Sequence, residues 1–361
     1  MKVRAAIAVG AHRPVEIKTL DLAPPGPGEV LVKMKATGLC HSDLGILEGK
    51  LGRYSFPLVL GHEGAGIVTK CGPGVSGFSE GDLVIPSALP ECGQCQLCLS
   101  GKTNLCVRQA MLPPSRLSYE GQTLGAFCGT ATFAEYSVIT QDRLTKIRPD
   151  APADIVCCIG CGVMTGVGAA LKTAQVSPGS SVAVFGLGGI GLSTIQGAKI
   201  AGAAKIIGID INPSRESFAR NLGATHFINP KQVEDVVGHI RALTGSLGVD
   251  YAFECVGSDV LSRQAVEASN HAWGKCVAVG VTPPGKTLDF NPMSFLTGRT
   301  WTGSLLGGER PRSAVPRLVD WYMDGFLKFD DLITHRIGLD DINHGFDMMR
   351  SGEAIRSVIV F

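Results

Sequence analysis

The sequence predicts an α/β chain in two parts, an irregular all-β part followed by a doubly wound parallel sheet. Three observations carry this. The chain has 361 residues, more than twice the ~150 of a usual domain. Residues 1 to about 150 are rich in Gly, Pro and short β-type runs. From about Val163, short apolar runs alternate with helical patterns instead. The boundaries read as 1–162 with 306–361 for the first domain and 163–305 for the second.

In chain order, Met1 to Gly10 reads as a first strand, because His12, Arg13 and Pro14 cut its apolar run short and no small-residue cleavage site follows. Val30-Leu31-Val32, Gly66-Ile67-Val68 and Asp82 to Ile85 are strands bounded by turns such as Pro25-Gly26-Pro27-Gly28 and Pro73-Gly74. In the second part Val182 to Phe185 is a strand and Ile190 to Ala201 a helix. Ile206 to Ile209, a helix over 213–222, Thr225 to Ile228, Val249 to Cys255 and Cys276 to Val279 continue the alternation. The last residues, Ser357 to Phe361, read as a strand completing the first domain.

Composition excludes several classes. Hydrophobic residues at 45% and charged residues at 18% are too apolar for a disordered chain. Lys+Arg 33 against Asp+Glu 32 leaves a net charge of +1, no footprint for a nucleic-acid partner. Mean hydropathy is +0.21, and Thr173 to Ala198 is a 26-residue stretch without charge or histidine. Pro178-Gly179 and six glycines break it, so no membrane span is expected. Twelve cysteines are unusual for a chain in which no secretion signal is read; in the reducing, cytoplasmic compartment expected for it they would be thiols, free or metal-bound, rather than disulfides.

Gly186-Leu187-Gly188-Gly189-Ile190-Gly191 is a G-x-G-x-x-G between an apolar strand and a helix. Its glycines permit a tight turn, close approach of backbone N–H groups to a pyrophosphate, and seating of the helix on the sheet. Asp210 stands 24 residues after Gly186, at the end of the next strand. A carboxylate there accepts both ribose hydroxyls and repels a 2′-phosphate, which selects NAD over NADP.

Cys92, Cys95, Cys98 and Cys106 form C-x2-C-x2-C-x7-C. Three further cysteines at set offsets arise by chance roughly 4 times in 100,000 per starting cysteine, so a shared role is indicated. Four thiolates suit a closed, structural Zn²⁺ site. An iron–sulfur cluster is disfavoured because no Cys-Pro follows the last ligand, and a nucleic-acid module because only Lys102 and Arg108 lie nearby.

Cys40-His41-Ser42-Asp43, Gly61-His62-Glu63 and Gly160-Cys161-Gly162 offer two sulfurs and an imidazole, a set that leaves a metal one open position. Spacing alone does not bring them together. With Gly66, Gly72, Val75, the quartet, Gly186 to Gly191 and Gly298-Arg299-Thr300-Trp301, they follow the order and spacing of a known family. The whole chain resembles the zinc-dependent medium-chain alcohol dehydrogenases, most closely the class III, glutathione-dependent formaldehyde dehydrogenase branch.

The resemblance implies a GroES-like catalytic domain and a Rossmann cofactor domain, with NAD and two zinc ions per subunit. Cys40, His62 and Cys161 would hold the catalytic zinc, with Glu63 behind it as a transient ligand. Asp43 would fix the His62 tautomer, and Ser42 would take the alcohol proton. His41 and Arg356 match pyrophosphate contacts, and Arg215 stands where the family has a lysine near the adenosine ribose. Thr165, Val279, Gly280, Val281 and Leu306 match positions lining the nicotinamide. The implied partners are a small alcohol or aldehyde and further copies of the chain, as a dimer or tetramer joined around Gly285 to Thr302.

The expected reaction is reversible, NAD-dependent oxidation of primary alcohols, bulky or aromatic ones included, to aldehydes. An alternative is S-(hydroxymethyl)glutathione as substrate; a non-enzyme alternative is a zinc-stabilised dinucleotide-binding scaffold or redox sensor. Three departures from the family bear on substrate. Gly45 replaces a titratable relay residue, and Ala88 replaces an aromatic residue, predicting a wider inner pocket. The stretches Glu48 to Phe56 and Val107 to Leu112 offer only Glu48 and Arg108 toward a glutathione, neither clearly in register. Cys71, Cys128, Cys157, Cys158, Cys255 and Cys276 carry no assigned role.

Overall fold

A computed structural model describes residues 1–51, 54–101, 104–112 and 115–361. Lys102, one of the two cations noted beside the quartet, lies outside them, as do Gly52 and Arg53 of the 48–56 stretch. The chain divides into two compact units, 1–161 with 310–361, and 162–309. Gly162 and residues 306–309 therefore belong with the second unit. The reason is packing. Gly162 opens the helix Gly162–Gly168, and the 305–308 turn lies against that helix so closely that a Cβ on Gly307 would stand 2.4 Å from the Met164 carbonyl oxygen.

The first unit is organised around the strand Glu29–Gly38. Its sheet runs Leu144–Lys146, Leu83–Pro86, Glu63–Cys71, Glu29–Gly38, Arg356–Val360, Ile333–Ile337, and Tyr136–Thr140 also pairs with the central strand. Val30, Val32 and Met34 alternate onto one face and pack with Val68, Val84 and Ile139. Each such side chain stabilises the unit by about 1.5–3 kcal/mol through burial. Register does the functional work: Gly38 lies opposite Glu63 on one side and Val358 on the other. The start of one strand, the end of the next and the C-terminal strand thus meet at one end of the sheet. A second six-stranded sheet, which includes Lys2–Ala8 and Glu16–Leu22, packs its own core around Leu20, Leu58 and Phe133.

The second unit is a six-stranded parallel sheet in the order His226–Ile228, Lys205–Ile209, Ser181–Phe185, Tyr251–Glu254, Lys275–Ala278, Thr300–Gly303. Chain order reverses on either side of Ser181–Phe185, which places a ligand crevice at the strand ends there. The charge-free stretch 173–198 resolves into a turn, this strand and most of the helix Gly189–Ile200. That helix packs backbone to backbone on the segment 162–174: a Cβ on Gly166 would stand 2.3 Å from the Ile190 carbonyl oxygen, and one on Gly197 2.9 Å from the Ala170 Cβ. Among the described residues no single helix is long and apolar enough to cross a membrane.

Candidate active site and metal centres

The first constellation is built at the end of the sheet where Gly38, Glu63 and Val358 lie side by side. Beyond Gly38 the chain turns into the helix His41–Leu47, with Cys40 as its extended N-cap. Asp43 sits in the first helical turn and faces back. Its Oδ2 accepts from the Cys40 N–H at 3.2 Å, its Oδ1 accepts from the Gly61 N–H at 2.9 Å, and the same Oδ1 lies 3.3 Å from His62 Nδ1. One buried carboxylate thereby fixes both ligand-bearing segments and the imidazole orientation.

Ligand atoms of Cys40, His62, Glu63 and Cys161 all lie within 4.8 Å of one another. Cys40, His62 and Glu63 are buried and Cys161 is half-buried. Ser42 Oγ stands 3.8 Å from Cys40 Sγ. A hydrogen bond with Cys161 holds the Cys40 thiol well below the usual range, and the same bond pushes Cys161 well above it. A divalent cation held there would take both sulfurs as thiolates. Two sulfurs and one imidazole are the donor set of zinc in alcohol dehydrogenases, and they fit a metal with an open position.

Glu63 is fully buried, and burial pushes its carboxyl up to about 7 against the pull of Arg356. Arg356 Nη1 lies 3.1 Å from Glu63 Oε2 and donates to the Leu39 carbonyl at 3.1 Å. The arginine expected at the pyrophosphate is thus itself buried and engaged inside the first unit. Gly38 has no alternative here, because a Cβ would stand 2.7 Å from Glu63 Oε2 and 2.9 Å from Cys158 Sγ. His41, the other pyrophosphate candidate, is exposed at the start of its helix.

Three neighbours of this site left no mark in the sequence. Phe127 meets the His62 ring edge to face at 5.1 Å and Tyr54 at 4.9 Å. Cys128, beside it, has a φ of 53° and lies 3.9 Å from the Tyr54 hydroxyl. Arg143 is 3% exposed and donates to the Ala88 carbonyl at 3.0 Å, so a guanidinium is docked at the residue where the family's aromatic is missing. An isolated Phe-Cys-Gly and a lone Arg carry no spacing signal.

The quartet closes on itself. Cys92 and Cys98 Sγ are 3.9 Å apart, and Cys95 and Cys106 Sγ 4.0 Å. A tetrahedron with Zn–S of ~2.3 Å has edges of about 3.8 Å, so the sulfurs fit that ion. Backbone N–H groups of Val107 and Cys98 bring the Cys95 thiol down to about 6, which supplies a thiolate near neutral pH. None of the twelve cysteines is in a disulfide.

In the second unit the glycine turn leaves the strand Ser181–Phe185 and enters the helix Gly189–Ile200, with Gly188 as N-cap. A Cβ on Gly191 would stand 1.8 Å from the Gly186 oxygen, whereas one on Gly188 would meet nothing within 4 Å. The turn is therefore packed tightly below and open above, a cradle that fits a pyrophosphate at the positive end of the helix. Leu187 and Ile190 complete it, Leu187 buried and Ile190 half-buried. Asp210 is pinned: its Oδ2 accepts from the Leu187 N–H at 2.7 Å and its Oδ1 from the Asn212 N–H at 2.8 Å. Its remaining lone pairs suit ribose hydroxyls. Arg215 is buried on the following helix, and burial lowers its guanidinium while Asp210 opposes that.

Thr165 is buried on the helix Gly162–Gly168, and the 305–308 turn, with Leu306 at φ 51°, packs on it so that a Cβ on Gly307 would stand 3.0 Å from the Thr165 carbonyl oxygen. Val279, Gly280 and Val281 follow the strand Lys275–Ala278 at the same sheet end as the glycine turn.

Known proteins match both units. Residues 26–150 match the alcohol dehydrogenase GroES-like domain, and residues 189–323 the zinc-binding dehydrogenase family. The chain is 47% identical to an alcohol dehydrogenase class-3 of Cereibacter sphaeroides, and 46% to an S-(hydroxymethyl)glutathione dehydrogenase of Paracoccus denitrificans. Each alignment covers 100% of both chains. The fold is similar to that of benzyl alcohol dehydrogenase from Acinetobacter calcoaceticus, with a TM-score of 0.92, 34% identity and coverage of 100% of this chain and 99% of the other.

Proposed function

We propose, since the chain belongs to the zinc-dependent alcohol dehydrogenase family, that it oxidises the hydroxyl of a hydroxymethyl–thiol adduct of the S-(hydroxymethyl)glutathione class with NAD. The observation that carries this is the name shared by relatives 45–46% identical over nearly the whole chain. Family membership makes the chain an NAD- and zinc-dependent oxidoreductase, so the scaffold reading is set aside. The preference for primary alcohols reached from the sequence gives way to the adduct.

The reaction R–CH2OH + NAD⁺ → R–CHO + NADH + H⁺ breaks one C–H and one O–H bond. Cys40, His62 and Cys161 would hold a zinc ion that would supply Lewis-acid polarisation of the substrate oxygen, and the Gly186–Gly191 turn would hold NAD as the acceptor of the electron pair. The chain's own residues do the rest. Ser42, beside Cys40, holds the proton that leaves the hydroxyl. Asp43 keeps His62 in one orientation, and Arg356 balances the Glu63 charge. Gly45 has no titratable side chain and so passes no proton itself.

A second reading, oxidation of benzyl-type or medium-chain alcohols, has a specific support. The two charges available for a glutathione are already engaged: Glu48 Oε2 lies 2.6 Å from Lys50 Nζ, Glu48 Oε1 3.5 Å from Arg350 Nε, and Arg108 Nη1 3.2 Å from Asp142 Oδ2. The test is NADH formation from formaldehyde with and without glutathione, alongside benzyl alcohol. A strict thiol requirement supports the adduct; turnover of benzyl alcohol alone overturns it in favour of the second reading.

We also propose a homodimer or homotetramer joined through the 285–302 region and a cytoplasmic setting. Exposed Trp273, Met293 and Leu296, with Trp301 on the sheet-edge strand Thr300–Gly303, support the former, and the unpaired cysteines the latter. Light scattering that gives a monomer mass would remove the first, and cell fractionation tests the second.

A further inference from the structure

Glu254 ends the strand Tyr251–Glu254, one strand away from the glycine turn, and is fully buried. No ion pair to a cation is found for it among the described residues. Its carboxylate instead collects backbone donors. Oε1 accepts from Val256 at 2.8 Å, Gly257 at 2.8 Å and Ser258 at 3.4 Å, and Oε2 from Gly257 at 3.1 Å. Its main-chain carbonyl accepts from Val279 at 2.8 Å and Gly280 at 2.9 Å. One residue therefore ties the turn after its own strand to the turn after the next.

These turns interlock with little slack. A Cβ on Gly257 would stand 2.3 Å from the Val281 oxygen, one on Gly280 2.0 Å from the Gly257 nitrogen, and one on Gly186 2.3 Å from Val256 Cγ2. A shift of the 255–258 turn is thus transmitted to Val281 on one side and to the glycine turn on the other. Burial pushes the Glu254 carboxyl up, and the three backbone N–H groups oppose that by favouring the anion. Retaining a buried carboxylate without a cation is costly unless its hydrogen bonds matter.

We propose that Glu254 is a positioning residue for the nicotinamide half of NAD: by holding 255–258 and 279–281 in one shape, it presents the backbone of Val279 to Val281 to the cofactor. The proposal rests on the NAD dependence of the family and on no choice of substrate.

The test compares Glu254→Gln with Ser258→Ala in the holoenzyme. Ser258→Ala removes the side-chain cap that accepts from the Leu261 N–H at 3.3 Å, weakening the helix Asp259–Ala268 that follows the turn while leaving the carboxylate in place. Binding of NADH is titrated by its fluorescence, melting is followed without cofactor, and metal content is counted. Glu254→Gln should weaken NADH binding about tenfold, matching the loss of one or two bonds to a charged acceptor. It should also shift the bound-NADH emission maximum. Ser258→Ala should lower melting with NADH affinity within twofold of the parent.

Equal NADH affinity in folded Glu254→Gln, or equal weakening in both variants at matched melting loss, would overturn the proposal. Should Glu254→Gln fail to fold, Glu254→Asp, which keeps the charge but falls short of the turn, decides by the same affinity measurement. Because no alcohol or adduct is used, this outcome is independent of the substrate assignment.

Discussion

The Arg356 guanidinium lies 3.1 Å from the Glu63 carboxylate, with both side chains buried directly behind the Cys40–His62–Cys161 cluster. The arginine comes from the C-terminal strand and the glutamate from the middle of the first unit. Removing one partner leaves an uncompensated buried charge, which costs about 3–5 kcal/mol. Arg356→Leu should therefore lower the free energy of urea unfolding by about that amount, and adding Glu63→Leu should recover most of it. A single variant as stable as the parent would show that the pair is not held in solution.

Asp43 offers a separate handle on the metal. Asp43→Asn keeps the shape but weakens the acceptors facing His62, Gly61 and Cys40. Loss of such a partner typically lowers metal affinity about 10–100-fold. Dialysis against a graded chelator should strip one zinc per chain from the variant before the parent, with the quartet's zinc retained in both. Metal counting by mass spectrometry checks this directly.

We propose that Asp210 sets cofactor choice. Replacing it with Gly removes the repulsion toward a 2′-phosphate and the acceptor for the ribose hydroxyls. The ratio of kcat/KM for NAD over NADP should fall by about a hundredfold, the size expected when a like-charge contact is removed. An unchanged ratio would place cofactor selection elsewhere.

Glu48 gives a pH-dependent stability with a definite sign. Hydrogen bonding from Lys50, with Arg350 behind it, holds its carboxyl below the ordinary glutamate value of 4.5. A carboxyl whose folded pKa is depressed stabilises fully above its unfolded pKa and loses that contribution as pH falls through the folded value. The melting-temperature difference between the parent and Glu48→Gln should be constant above pH 4.5 and disappear on further acidification. The effect is small, because Glu48 is partly solvated and the pairs are screened by salt.

How much of this was legible in the residues depends on how local each feature is. The quartet closes within 15 residues, and the glycine turn lies between one strand and one helix, so spacing alone marks both. Cys40, His62 and Cys161 are different. They meet only because Gly38 registers against Glu63 and because Asp43 holds two segments at once, and pairing of that kind leaves no periodicity; family likeness found them. Arg356 was expected, by family likeness, at the cofactor pyrophosphate, and its partner Glu63 was not legible, since burial against Glu63 depends on the final strand joining the sheet. Glu254, Phe127 and Arg143 act through backbone capture, ring edges and a single carbonyl, none of which has a sequence signature.

The first unit is interrupted by the second, and this sets an order of events during synthesis. The 162–309 segment has all of its strands once it has left the ribosome and can fold there. Glu29–Gly38, in contrast, is paired along Ala36 to Gly38 on the Glu63 side only until Val358 to Val360 arrive on the other. Glu63 likewise waits for Arg356. A nascent chain halted before residue 356 would therefore carry a finished dinucleotide half and an open, unbalanced zinc half.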